Sequence, residues 1–270
     1  MSALTFTLTH RPDQRVDMSP LSCHLLEGMA PAEIAAIELY MGRRKVRVDA
    51  LFKISGSDTQ HIVIENSFSK LDFIGKGLTA GQITVQGSAG AYLGMAMQDG
   101  VIEVTRDTGI FAACEMKNGY LRIHGNAGDF LGAALPGNRM GMKGGTVLVK
   151  GNAGERAGDH MRRGNILIEG DAGDYCGSRM TAGTIAVMGQ TGRYPGYAMR
   201  RGTLLLWRQP RLSASFNDCG AHTLAFLPLL FASFRKLDSR FAESSAAFKR
   251  VRRYCGDMSE LGRGEVLVKI

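Results

Sequence analysis

The residues best placed to do chemistry in this 270-residue chain are cations at a fixed spacing. Lys117, Lys143, Arg162 and Arg200 occupy one column of a repeated segment, Thr181 fills its remaining place, and Arg163 and Arg201 follow one position on. If the repeats stack, these side chains come close together along one edge and repel. An anionic tail or an acidic partner then lowers the energy of the row. That is binding chemistry rather than bond-breaking chemistry. The same column also reads as a solvated edge, or as one half of salt bridges to Asp129, Glu155 and Asp174. Those three carboxylates are the candidates for a lyase-type cluster.

No other constellation competes. There is no P-loop, HExxH, GxSxG or Cys/His cluster. His10, His24, His61, His124, His160 and His222 fall far apart in the repeat register and read as structural. Met97, Met116, Met142, Met161, Met180 and Met199 share one column. Thioether sulfur suits Cu(I), but methionine is more often a filler of apolar gaps, so the column reads as core. We therefore assign no catalytic residue and no metal ligand.

The element that must position these columns is a repeat. G-x-x-G-x-x-x-G, followed by an apolar-x-apolar pair, opens at Gly87, Arg106, Gly125, Gly151, Gly170 and Gly189. Four of the five steps are 19 residues, and the step from Gly125 to Gly151 is 26. The extra residues lie around Pro136-Gly137-Asn138-Arg139 and are expected to bulge outward, because Met142 and Gly145 keep register. Period-two pairs such as Ile102/Val104 and Leu121/Ile123 read as strands with one buried face. Glycine every three to five residues excludes a helix interior. The expected fold is all-β: a right-handed parallel β-helix, with coils about 4.8 Å apart, so that seven coils make a rod roughly 35 Å long. Further columns agree: the largely aromatic Tyr92, Phe111, Phe130, Arg156, Tyr175, Tyr194, and the polar Ser88, Asp107, Asn126, Asn152, Asp171, Gln190.

Composition bounds the rest. A net charge of +8 implies an anionic partner or surface. Residues 1–18 are polar and alternating, so no secretory signal is expected, and the longest apolar stretch, Leu224 to Phe231, is too short for a membrane span. Five unpatterned cysteines fit reduced thiols in a cytoplasmic protein. The basic run Lys249–Arg253 comes with no recognition motif, so nucleic acid is not expected. Three regions are expected: an N-terminal cap of degenerate coils (1–80), the 19-residue β-helix repeats (81–208), and a C-terminal cap (209–270). In the first, Leu4/Phe6/Leu8, Val46/Val48 and Phe52/Ile54 alternate as strands, and Pro31 opens a short helix. In the last, Phe241, Phe248 and Val251 share one face of a helix over 241–253, and Gly264–Val268 reads as a final strand.

The segments GNAGDFLGAALPGNRMGMKGGTVLVKGNAGERAGDHMRRGNILIEGDAGDYCGSRMTAG (125–183) and MRRGTLLL (199–206) resemble the C-subunit family of formylmethanofuran dehydrogenase. Within that family the likeness is greatest to the bacterial branch found in formyltransferase/hydrolase complexes of methylotrophs. The same coil is similar to the C-terminal domain of the glutamate synthase large subunit. The resemblance implies a non-catalytic, cytoplasmic β-helix subunit in an assembly that oxidises formaldehyde to formate. It implies three partners: an amidohydrolase-like subunit holding a metal ion, a formyltransferase subunit using tetrahydromethanopterin, and a further subunit. Formyl groups would travel on methanofuran or an analogue whose tail carries glutamates. Lys117, Lys143, Arg162, Arg163, Arg200 and Arg201 are then the candidates to meet that tail or a partner, and no cofactor is expected on this chain alone. Two other readings remain open: a free-standing glutamate-synthase-type domain, and a β-helix carbohydrate-active enzyme such as a lyase or acyltransferase.

Overall fold

Short apolar pairs closed by glycine become strands throughout the computed structural model, which describes residues 2–270, apart from the side chains of 244–247. The first eight strands are β1 (Ala3–Leu8), β2 (Val16–Asp17), β3 (Glu38–Met41), β4 (Arg44–Arg47), β5 (Phe52–Ser55), β6 (Asp58–Ser67), β7 (Leu71–Asp72) and β8 (Gln82–Gly87). Then follow β9 (Val101–Val104), β10 (Tyr120–Ile123), β11 (Lys143–Val149), β12 (Arg163–Ile168), β13 (Thr184–Val187) and β14 (Thr203–Leu206). The chain ends with β15 (Asn217–His222), β16 (Val251–Gly256) and β17 (Gly264–Lys269). Thirteen of these form one sheet, ordered β15-β16-β17-β14-β13-β12-β11-β10-β9-β8-β6-β1-β5, and β4-β3-β2-β7 form a second.

From β1 through β6 and β8–β14 to β17 every neighbouring pair in the large sheet is parallel. The pairing follows the sequence period: Ile166 lies opposite Ile185, and Ile185 opposite Leu204. The longer repeat pairs without slipping, Leu121 against Val147, because residues 136–140 are exposed and loop away from the ladder. A second parallel ladder runs through single bridges, Ala89–Thr108–Ala127–Ala153–Ala172–Thr191. Adjacent repeats are thus joined along two lines.

The methionine column lies in the interior. All six of its side chains are 0% exposed. Each is matched by a glycine of the following repeat: a Cβ at Gly164 would stand 2.9 Å from Met142 Cε, and one at Gly183 2.9 Å from Met161 Cε. The absent side chain is therefore the space that the methionine fills. The aromatic column stacks outside this core. Phe73–Tyr92, Tyr92–Phe111 and Phe111–Phe130 have centroids 4.8, 5.3 and 4.6 Å apart. Where the column breaks, the Arg156 guanidinium lies 4.6 Å from the Tyr175 ring centre.

Three expectations need correction. The later strands bury both faces, not one. Leu148, Leu167, Ala186 and Leu205, between the inward pairs of β11–β14, are fully buried. They lie beneath α4 (Phe226–Phe234, numbered after the single-turn α1 Cys23–Leu26, α2 Pro31–Ala36 and α3 Val48–Leu51) and a 3₁₀ segment at Arg240–Ala247. Trp207 joins this second core, 4.3 Å from Phe248 and 5.4 Å from Phe241. Nor is there a helix over 241–253. Phe241, Phe248 and Val251 are buried as expected, but Val251 opens β16, which pairs antiparallel with β17. Pairing across the end of the stack outweighs local helical spacing there. At the N-terminus, the expected Val46/Val48 strand gives way to β4 and the turn of α3, while the Pro31 helix and the Leu4/Phe6/Leu8 strand form.

Candidate anion-binding site

The cationic column is a true stack. The backbone N–H groups of Lys117, Lys143, Arg162, Thr181 and Arg200 each donate to the carbonyl of the methionine one repeat earlier, at 2.7–2.8 Å. Lys117, Arg162, Arg163, Arg200 and Arg201 are exposed, and Lys143 is half-buried. The six do not form one site. Only Arg162 and Arg200 converge, on a 240 Å³ cavity also lined by Arg139, His160, Arg179, Thr181, Ala198 and Glu260. Lys117, Lys143, Arg163 and Arg201 lie elsewhere along the edge. Sequence reasoning missed Arg139, His160 and Arg179. Arg139 comes from the exposed loop of the long repeat. His160 and Arg179 share a column directly before the methionines, and that period-19 relation was their available signal.

The backbone fixes these groups tightly. His160 N–H donates to the Ser178 carbonyl at 3.0 Å, Arg179 N–H to Tyr197 at 2.7 Å, and Gly141 N–H to His160 at 3.0 Å. Asp159, 4% exposed, lies behind them. Its carboxylate accepts from Ser178 Oγ at 2.5 Å and from two guanidinium nitrogens of Arg179 at 2.9 and 2.8 Å. Arg200 Nε reaches Glu260 at 2.9 Å. Burial lowers the pKa of His160, and Arg179, Arg139 and Arg162 act in the same direction against Asp159.

The lyase-type carboxylates do not gather. Asp129 Oδ1 accepts the N–H of Glu155 at 2.8 Å, and Asp174 Oδ1 that of Arg193 at 2.7 Å, with Arg193 Nε on its other oxygen at 2.9 Å. Both serve as inter-repeat braces, as do Asp107, Asn126, Asn152 and Asp171 in the polar column. They do not pair with the cationic column either. Among the described residues no three His, Cys, Asp or Glu side chains gather as a metal site, and no helix is long and apolar enough to cross a membrane. A wider groove of 750 Å³ near the N-terminal end contains His10, Arg11 and Arg106, but there the Arg11 guanidinium lies over the Phe68 ring at 5.6 Å.

An all-β chain paced by recurring glycines, with neighbouring repeats joined in parallel, is the class described by the GXGXG motif, whose family model matches residues 46–219. The chain belongs to that family, in the branch formed by the C subunits of formylmethanofuran dehydrogenases. It is 31% identical over 95 residues to the C subunit of tungsten-containing formylmethanofuran dehydrogenase 2 of Methanococcus maripaludis, covering 34% of this chain and 35% of the relative. It is 39% identical over 89 residues to the C subunit of the formyltransferase/hydrolase complex Fhc of Methylorubrum extorquens, covering 32% and 34%. In sequence the chain thus spans about a third of the length of these curated relatives. The structural likeness is longer. A chain in the crystal structure of the formyltransferase/hydrolase complex FhcABCD from Methylorubrum extorquens with methylofuran superposes with a TM-score of 0.92 at 37% identity, covering 98% of this chain and 99% of that one.

Proposed function

We propose that this chain is a non-catalytic scaffold subunit of a formyltransferase/hydrolase assembly. The observation that supports it most directly is the end-to-end likeness to a chain of FhcABCD. The parallel ladders at the repeat period support the accompanying fold reading, a right-handed β-helix over 81–208 closed by terminal caps at 1–80 and 209–270. In this reading the chemistry belongs to partners: an amidohydrolase-like subunit with its metal ion, a formyltransferase subunit using tetrahydromethanopterin, and a further subunit. The formyl group is carried on a methanofuran analogue in cytoplasmic one-carbon metabolism. The scaffold supplies rigidity, since each repeat is held by backbone hydrogen bonds on two lines, and its basic edge meets an acidic partner surface or the carrier's tail.

Single exposed contacts on that edge contribute only about 0.2–1 kcal/mol each, so binding rests on several together and weakens with salt. The test is a charge reversal of Arg162, Arg163, Arg200 and Arg201 to Glu in the assembled complex. The expected result is a folded chain with impaired assembly or formyl transfer. Normal assembly and a normal transfer rate would make the column a solvated edge.

A further inference from the structure

The cavity at Arg162 and Arg200 has a charge balance that the edge reading does not use. Four guanidiniums line it, those of Arg139, Arg162, Arg179 and Arg200. Two are already matched, Arg179 by Asp159 and Arg200 by Glu260. Arg139 and Arg162 have no carboxylate partner among the described residues. Asp159 cannot turn to serve them, because Ser178 and Arg179 hold both its oxygens. Two positive charges are therefore left uncompensated around 240 Å³ of space.

We propose that this cavity binds a compact tetrahedral dianion, either inorganic phosphate or the phosphate group of a monoester. The two free charges match a dianion, whereas a lone carboxylate would neutralise only one. Guanidinium forks suit phosphate oxygens, and charge-assisted bonds of this kind are short and strong. At about 30 Å³ per water, the cavity has room for roughly eight waters, enough for a phosphate group and a short stem.

His160 faces the same space. The charged groups around it are Asp159 and Arg179 behind, Arg139 from the loop, and Arg162, Arg200 and Glu260 at the rim. Burial, and after it the guanidiniums of Arg179, Arg139 and Arg162, favour its neutral form and hold its pKa below the usual histidine range, against Asp159. A bound dianion favours its protonated form, so binding tightens as the pH falls. This proposal rests on the cavity alone and does not depend on the assembly reading.

The test is calorimetric titration of the purified full chain at constant ionic strength with inorganic phosphate, glycerol 3-phosphate, sulfate and glutamate. Saturable binding of phosphate and sulfate is expected. Arg139→Gln and Arg162→Gln should each weaken it about tenfold, the scale of one charge-assisted hydrogen bond. Arg139 is on an exposed loop, so its variant reads the site without endangering the fold. Glycerol 3-phosphate binding as tightly as phosphate would place a phosphorylated molecule in the site; phosphate alone would place the free ion there. Sulfate keeps its charge across the range, so its affinity should rise severalfold from about pH 7.5 to about pH 5.5, and this rise should vanish in His160→Gln. Equal pH profiles in the two proteins would overturn the role of His160. Glutamate binding without phosphate, or no binding by a chain with its native circular dichroism, would overturn the proposal.

Discussion

Each inward methionine occupies the space that the next repeat's glycine leaves empty. At Gly164, φ is +98°, and an added Cβ would stand 2.6 Å from the Gly145 carbonyl oxygen. Gly164→Ala should therefore lower stability by about 2–4 kcal/mol, through left-handed strain plus a backbone clash. Met161→Ser places an unpartnered hydroxyl in a fully buried site and should cost a similar amount. Urea unfolding of each variant measures both, and a loss under about 0.5 kcal/mol, the scale of a neutral surface change, would contradict the interlocking. This pairing was legible in the sequence, because a strict period puts equivalent side chains on one line. The cavity was not. Arg139 enters from the one segment that leaves the period, and His160 reads as structural from sequence because the six histidines fall far apart in register, while its own column, Ala96, Glu115, Gly141, Arg179 and Ala198, has no common chemistry.

The C-terminal segment shows what one element adds to the ladder. α4 and the 3₁₀ segment lie on the outer face of β11–β14, where Phe231, Phe234, Phe241 and Phe248 are buried against Leu148, Leu167 and Leu205. Phe231→Ala should cost about 3–5 kcal/mol of the stability of this second core. Loss of the Trp207 near-UV signal, with the ladder's far-UV signal kept, is its expected signature. Ion pairs help to fasten the segment. Asp238 of the segment reaches Lys150 at 3.0 Å and Arg122 at 3.5 Å; within the ladder, Glu103 backs Arg122 at 3.3 Å and accepts from His124 at 2.7 Å. Both carboxyls are held below their usual pKa, Asp238 first by the Lys150 bond and Glu103 first by the His124 bond. A depressed carboxyl stabilises the fold above its unfolded pKa, and that stability is lost as pH falls through the folded value. Between about pH 4.5 and about pH 3 the Trp207 emission should therefore shift red before the ladder unfolds; a shift only at the main transition would contradict the tether. The two-sided burial was written in the sequence. The last four repeats read Val-Leu-Val, Ile-Leu-Ile, Ile-Ala-Val and Leu-Leu-Leu, whereas earlier ones read Ile-Glu-Val and Leu-Arg-Ile, and unbroken apolar runs mark strands covered on both faces. The apparent helix at 241–253 failed for a tertiary reason: Val251–Gly256 pairs with β17 across the end of the stack.

At the scale of the molecule, a stack whose repeats are locked in register gives a rigid body with fixed surfaces. The basic edge recurs with the repeat, and stacked rings run along the aromatic column, with Tyr194 46% exposed at its C-terminal end. Such a body is suited to holding other subunits at set distances, the role proposed here. The most direct measurement tags the chain in its own cell, purifies it at low salt, and determines mass and composition by native mass spectrometry. A stoichiometric assembly with a formyltransferase and an amidohydrolase-like partner, and with formyl-transfer activity in the same fraction, is the predicted result. Recovery of the chain alone, or in an assembly that lacks both, would contradict it.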